Sequence, residues 1–93
     1  MIPEGVEHIG AAAFEGFHGL TGVVAITDSV TSIGESAFYG CGGLTRLMIP
    51  DSVTSIGVDA FDECENLILS VIPGSFAGQY AKENEIPYVF ATE

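Results

Sequence analysis

The fold is decided by the stretch Ile26-Thr27-Asp28-Ser29-Val30-Thr31-Ser32-Ile33-Gly34, which returns almost unchanged as Ile49-Pro50-Asp51-Ser52-Val53-Thr54-Ser55-Ile56-Gly57. A looser copy runs from Ile2 to Gly10, so the step between copies is 24 residues and then 23. A unit of this length is too short to bury its own apolar face, and such units become stable when they stack. We therefore predict an α/β solenoid in which each copy forms one coil.

Stacking places matching residues of successive copies in columns. Each copy continues into an Ala-Phe pair, ending at Phe14, Phe38 and Phe61, and then reaches a leucine. Because apolar columns bury their side chains against one another, they form the interior of the solenoid. The predicted core consists of Val30, Ile33, Phe38, Leu44, Val53, Ile56, Phe61 and Leu67.

Two short features are expected at the corners of each coil. Gly10, Gly34 and Gly57 follow the second isoleucine of each copy, where a compact coil needs either a positive φ or a close approach of two backbones. The segments 36–40 and 59–63 each predict one short helical turn, with Ser36 and Asp59 as N-caps.

The predicted domain organisation is a repeat region over residues 1–73 and a C-terminal cap over 74–93. The three repeats cover 2–25, 26–48 and 49–71. Ser75 can cap a helix over about 76–84, and a strand over about 86–90 follows, with Pro87 confining that strand to an edge. The N-terminal copy has no equivalent cap, so either upstream coils or another molecule would cover it. We expect self-association through the uncapped Met1 to Gly10 coil.

Charge excludes several classes of partner. The 93 residues contain 13 Asp and Glu against 2 Lys and Arg, which gives a formal net charge of -11. Such a chain repels a phosphate backbone, so no nucleic acid partner is expected. No apolar run is long enough to span a bilayer, so no membrane insertion is expected. The N-terminus shows no signal-peptide pattern.

The residue pattern predicts no catalytic centre and no cofactor. Cys41 and Cys64 share a column with Phe17, which indicates packing; a disulfide between stacked neighbours is geometrically possible, but free buried thiols are expected. The acidic column of Glu4, Asp28 and Asp51 allows two interpretations, a weak calcium site or a solvated turn. The solvated turn is favoured, because calcium takes six to eight surrounding oxygens and not a straight row.

The outer face of the parallel strands is the predicted contact surface. If Leu47 and Ile49 point inward, alternation turns Arg46 and Met48 outward. A constant step between coils then gives an exposed strip for partner binding made of Val24, Arg46, Met48, Leu69 and Val71. The alternative is that Leu69 and Val71 turn inward in an irregular third coil.

The repeated Ile-Pro-Asp-Ser-Val-Thr-Ser-Ile-Gly string resembles the BspA-like leucine-rich repeats. The fixed Ala-Phe and Cys positions and the Leu-Thr-x-Leu-x-Ile-Pro lead into the next copy belong to the same resemblance, which covers Ile2 to about Pro73. Residues 74–84 resemble the cap that often ends these arrays. The resemblance implies a short right-handed leucine-rich-repeat solenoid on a bacterial cell surface or in a secreted protein.

Two functions follow as hypotheses. The resemblance implies an adhesin-like module that binds another protein and is not an enzyme, with host extracellular matrix components or other surface proteins as candidate partners. The alternative is a structural spacer or capping end of a longer array, with no ligand of its own. The residues alone do not name the ligand.

Overall fold

Each copy of the repeat forms one coil that contains a two-residue strand, a series of turns and a longer strand. The computed structural model describes residues 5–91. Its elements are β1 (His8–Ile9), β2 (Gly22–Ala25), β3 (Ser32–Ile33), β4 (Leu44–Ile49), β5 (Ser55–Ile56), β6 (Ile68–Val71), α1 (Phe76–Glu83) and β7 (Tyr88–Phe90). The result is a parallel-strand β-solenoid of about four turns with a short C-terminal helix, as the repeat predicts.

Two parallel sheets run along the solenoid. The first has the order β1-β3-β5, and the second has the order β2-β4-β6-β7. In the first sheet the repeat sets the register directly, since Ser32 pairs with Ser55 and Ile33 with Ile56. Identical residues therefore lie side by side in successive coils, because parallel pairing follows the length of the repeat.

The segments between the two sheets are turns, and the predicted helical turns are not formed. Ser36 and Asp59 have φ values of 56° and 59°, which lie in the left-handed region and exclude the N-cap conformation. Hydrogen bonds between coils replace those of a helix: the Phe38 N–H donates to the Ala60 carbonyl over 2.8 Å, and the Phe14 N–H donates to Ala37 over 2.7 Å. This ladder between coils outweighs the local helical preference of the Ala-Phe segments.

The core consists of the predicted columns. The Phe38 ring is completely buried and stacks on Phe14 and Phe61, with ring centroids 5.3 and 5.7 Å apart. Seven of the eight predicted core residues are buried, and Ile56 is half-buried and packs against them. Hydroxyl groups at the corner also join the coils, since Ser29 Oγ donates to the Val6 carbonyl and Ser52 Oγ to the Val30 carbonyl, both over 2.8 Å.

The corner glycines that recur in each copy allow two backbones to approach closely. A Cβ atom on Gly57 would lie 2.5 Å from the Glu35 backbone nitrogen, and one on Gly34 would lie 2.6 Å from that of Ala11. A Cβ on Gly10 would meet nothing within 4 Å, because no described coil lies beneath it. The sequence offered two reasons for these glycines, a positive φ or a close approach of two backbones. The close approach of two backbones is the one that applies at Gly34 and Gly57.

The C-terminal cap lies on the last coil. The helix α1 begins after Ser75, whose hydroxyl oxygen accepts from the Gly78 N–H over 3.1 Å, and buries Ala77 and Ala81. The strand β7 then forms the edge of the second sheet beside β6. The cap thus closes the core and extends one sheet.

Candidate functional site

The outer face of the second sheet carries several exposed apolar side chains. Side chains alternate along each strand, except in β4, where the consecutive residues Thr45 and Arg46 are both exposed. Register then places the outward residues in two rows that cross the sheet. One row contains Val23, Arg46 and Ile68, and the other contains Ala25, Met48, Ser70 and Val89.

The structure corrects three residues of the predicted strip. Val24, Leu69 and Val71 point into the core and are buried. Leu69 pairs with Leu47, and Val71 pairs with Ile49, so both lie in columns that the sequence analysis itself assigned to the interior. The alternative of an inward-facing third coil is therefore correct for Leu69 and Val71.

A difference of one residue between coils explains the error. In β4 two exposed residues, Thr45 and Arg46, separate the buried Leu44 and Leu47. In the third coil Ile68 alone separates Leu67 from Leu69. Counting a constant number of residues from β4 to β6 therefore misplaces the residues of β6 by one position. A shift of one position moves each side chain to the opposite face of the strand.

The same irregularity displaces the first strand. The pairing of β2 with β4 shifts between Gly22 and Val23, so that Val23 pairs with Arg46 and Val24 with Leu47. Val23 is therefore exposed over 63% of its surface while Val24 is buried. The sequence analysis missed Val23, Ala25, Ile68 and Val89 as surface residues. The signal that could have revealed them is the unequal spacing of apolar residues in the three coils, from Leu20 to Val24, from Leu44 to Leu47 and from Leu67 to Leu69.

Arg46 and Met48 lie on the outer face as the alternation predicts. Both are exposed, and Met48 keeps 41% of its surface in contact with solvent. Ser70 pairs with Met48 at the sheet centre, with Val89 on its other side, and is itself buried, with 6% of its surface exposed. At the carboxyl end of the strands, a shallow cavity of about 180 Å³ is lined by Met48, Ser70 and the exposed Asp28, among others. The face thus combines apolar side chains with one cation and a carboxylate at its margin.

The two cysteines have a structural role. Both are free thiols: Cys41 Sγ donates to the Phe14 carbonyl over 3.1 Å, and Cys64 Sγ donates to the Phe38 carbonyl over 3.0 Å. Burial raises the pKa of both thiols above the ordinary value. Because the thiolate is the reactive form, a raised pKa disfavours nucleophilic chemistry. The thiols join neighbouring coils by hydrogen bonds.

The acidic column does not form a metal centre in the part of the chain that the structure describes. Asp28 and Asp51 are exposed at their turns, and Glu4 lies outside the described residues. No group of three or more His, Cys, Asp or Glu residues within 5–91 is arranged to hold a metal ion. Within the same residues, no helix has the length and apolarity needed to cross a bilayer.

Comparison with known proteins gives one match. The family model for the BspA type leucine rich repeat region (6 copies) matches residues 1–84. The matched range contains the three coils and α1. The search of curated proteins and the search of solved structures found no match.

Proposed function

Because the chain belongs to the BspA-type leucine-rich repeat family, we propose that it is a non-catalytic module that binds another protein through the outer face of the second sheet. Repeats of this family are typical of bacterial surface or secreted proteins, and leucine-rich repeats generally act as scaffolds for protein interactions. An adhesin-like role, with a host extracellular matrix protein as the partner, is the specific form of the proposal.

The observation that supports this proposal most is the exposed apolar character of the outer rows. Val23, Met48 and Val89 are exposed although the chain has a core that could bury apolar residues. Contiguous exposed apolar surface marks contact sites, and Met and Arg are enriched in protein interfaces. Parallel pairing joins the strands of the three coils and β7, so that a partner would meet a preformed surface.

Met48→Glu is expected to abolish most of the partner binding while leaving the fold intact. The substitution places a charge at the centre of the apolar rows, where an interface would have to desolvate it. Because Met48 is exposed, the free energy of unfolding should change by less than about 1 kcal/mol. The measurement is capture of matrix proteins by the immobilised chain, with urea unfolding of each variant as the check on folding.

Val58→Glu supplies a matched control for this experiment. Val58 is 66% exposed and lies on the turns, away from both outer rows, so the variant adds the same charge to another face. Arg46→Glu tests the neighbouring cation on the binding face. Equal capture by the Met48, Arg46 and Val58 variants would reject the binding face and favour the spacer function.

Self-association is proposed at the other end of the molecule. In the described residues, β1 and β2 are the edge strands of the two sheets at the N-terminal end of the solenoid, and unpaired strand edges pair readily with other chains. Phe17 is 44% exposed near this edge, and Ala13 is exposed beside it. Residues Met1–Glu4 of the predicted contact lie outside the described range.

Ultracentrifugation is expected to show a mass that rises with protein concentration and with salt, since salt screens the repulsion between two chains of charge -11. Ala13→Glu should weaken association more than Gln79→Glu, which adds the same charge to the exposed face of α1. A mass that stays monomeric at all concentrations and salt conditions would exclude this contact.

A further inference from the structure

The stack of turns ends in a row of backbone N–H groups for which residues 5–91 supply no acceptor. Three N–H groups of the first coil donate to the second over 2.7 to 2.8 Å: Ala12 to Glu35, Phe14 to Ala37 and Gly16 to Tyr39. Three of the second coil donate to the third over 2.8 to 3.0 Å: Ser36 to Val58, Phe38 to Ala60 and Gly40 to Asp62. The equivalent N–H groups of the third coil belong to Asp59, Phe61 and Glu63, and none finds a backbone or side-chain acceptor within residues 5–91.

The cap leaves this row uncovered. The strand β7 continues the second sheet, and Tyr80 of α1 reaches the third coil, where its hydroxyl donates to the Gly57 carbonyl over 3.1 Å. Beyond Tyr80 the chain passes through 84–87 at a distance from the turns, and a groove separates the two. Two adjoining cavities of about 140 and 370 Å³ occupy this groove.

The three donors belong to residues that line this groove. The corresponding N–H groups of the first two coils point along the solenoid axis toward the next coil. Those of the third coil therefore point to the place that a further coil would fill, and the groove lies there, between Phe61 and Glu63 on one side and Ile86 and Pro87 on the other. Asp59 and Glu63 are exposed, so water can accept from their N–H groups in the free chain, and the carbonyl oxygens of a bound peptide would take the place of that water.

The rim of the groove is acidic and its floor is apolar. Carboxylates line the rim, while Phe61, Leu67 and Ile86 line the floor. The rim residues are Asp59, Asp62, Glu63, Glu65 and Glu85. The negative potential extends over the neighbouring turn, where Glu63, followed by burial and by the charges of Asp62, Asp59 and Glu15, raises the pKa of the Tyr39 hydroxyl.

We propose that this groove binds a short, lysine- or arginine-bearing peptide segment of another protein, whose backbone carbonyls accept from the N–H groups of Asp59, Phe61 and Glu63. Addition of a segment to an open backbone edge is a general mode of peptide recognition. The acidic rim selects positive side chains by charge complementarity. This site lies at the end of the solenoid and is independent of the outer sheet face.

A second copy of the chain does not fit the groove. The chain carries 2 basic residues against 13 acidic ones, so its own segments would be repelled by the rim. A complete coil would also collide with α1 and β7, which already occupy the next level of the core and of the second sheet. The occupant is therefore a single segment and not a stacked repeat.

The test uses a peptide that copies the segment whose carbonyl groups accept hydrogen bonds from the second coil. Residues 58–62 provide the acceptor carbonyls for the second coil, so a capped copy of 57–64 with Asp59→Lys, Asp62→Lys, Glu63→Lys and Cys64→Ser is the probe. Titration into the isotope-labelled chain is followed by amide NMR spectra. We expect downfield shifts and slowed hydrogen exchange for the amide protons of Asp59, Phe61 and Glu63, while the Gly42 amide stays unchanged.

Matched variants separate the groove from general charge attraction. Asp62→Asn and Glu65→Gln should each weaken the probe about 2- to 5-fold, as expected for the loss of one exposed ion pair, while Asp28→Asn and Asp51→Asn should not. A tri-lysine peptide of equal charge should bind more weakly and should leave the three amides unshifted. Unmoved amides at saturating probe, or identical shifts and affinity with tri-lysine, would overturn the proposal.

Discussion

Phe38→Ala is expected to lower the free energy of unfolding by roughly 3 to 5 kcal/mol, as for the removal of a large buried aromatic side chain. The Phe38 ring is completely buried and contacts the rings of Phe14 and Phe61 in the coils on both sides. The substitution therefore leaves a cavity and removes two aromatic contacts at once. The free energy of unfolding of small domains is only about 5 to 15 kcal/mol. The substitution would therefore remove a large part of the stability of this domain.

Urea unfolding followed by circular dichroism measures this effect. Phe17→Ala is the matched control, because it deletes the same side chain at a position that is 44% exposed. Its cost should be below about 1 kcal/mol, in the range of ordinary surface substitutions. Similar midpoints for the two variants would show that the Phe38 ring does not hold the coils together.

Gly57→Ala is expected to cost about 3 kcal/mol, at the upper end of the usual penalty for overpacking. The added Cβ would lie 2.5 Å from the nitrogen and 2.7 Å from the Cα of Glu35, and backbone atoms can move aside only if the two coils separate. Every hydrogen bond between these coils would be lengthened as a result. Gly34→Ala should behave in the same way, with its Cβ 2.6 Å from the Ala11 nitrogen.

Gly10→Ala is the control, since Gly10 holds the same position in the first copy and its Cβ would meet nothing. The unfolding midpoint of this variant should stay the same or rise slightly, because alanine restricts the unfolded chain. Thermal and urea unfolding of the three variants form one comparison. A Gly57→Ala midpoint equal to that of Gly10→Ala would contradict the close contact between coils.

The repeat predicted the stacking because periodicity alone determines which residues meet. Ile33 pairs with Ile56, and Phe38 lies between Phe14 and Phe61, since the three copies have nearly the same length. No residue outside the repeat is needed for this inference. Such columns are a property of one-dimensional arrays, in which each unit contacts only its neighbours.

The contact face could not be predicted as well because it depends on single insertions. Two residues separate Leu44 from Leu47, whereas one residue separates Leu67 from Leu69. Both spacings keep the leucines in the core, but they place the residues between them differently on the surface. Each one-residue shift in register turns the side chains of a strand to the opposite face. The core is less sensitive, because the next leucine again occupies the buried position. Arg46 and Met48 were correctly placed outside because both lie in β4, where the alternation was counted directly.

Local sequence patterns did not predict the conformation of the turns or the presence of the groove, for a different reason. Ser36 and Asp59 begin segments that resemble short helices, yet both residues lie in the left-handed region, and the Ser36 N–H donates to the Val58 carbonyl of the next coil. The N–H groups of Asp59, Phe61 and Glu63 find no acceptor within the described residues because the cap leaves this end of the turns uncovered. Both features are set by contacts between coils, which the order of residues within one coil does not specify.

Aromatic NOE spectra of a chain labelled in its phenylalanine rings test the stacked-coil architecture most directly. The account predicts cross-peaks between Phe14 and Phe38 and between Phe38 and Phe61, whose ring centroids are 5.3 and 5.7 Å apart, with no direct cross-peak between Phe14 and Phe61. Phe14→Leu and Phe61→Leu should each remove one of the two sets and thereby assign them. Rings of Phe14, Phe38 and Phe61 that show no mutual cross-peaks in a folded chain would contradict the architecture and the binding face built on it.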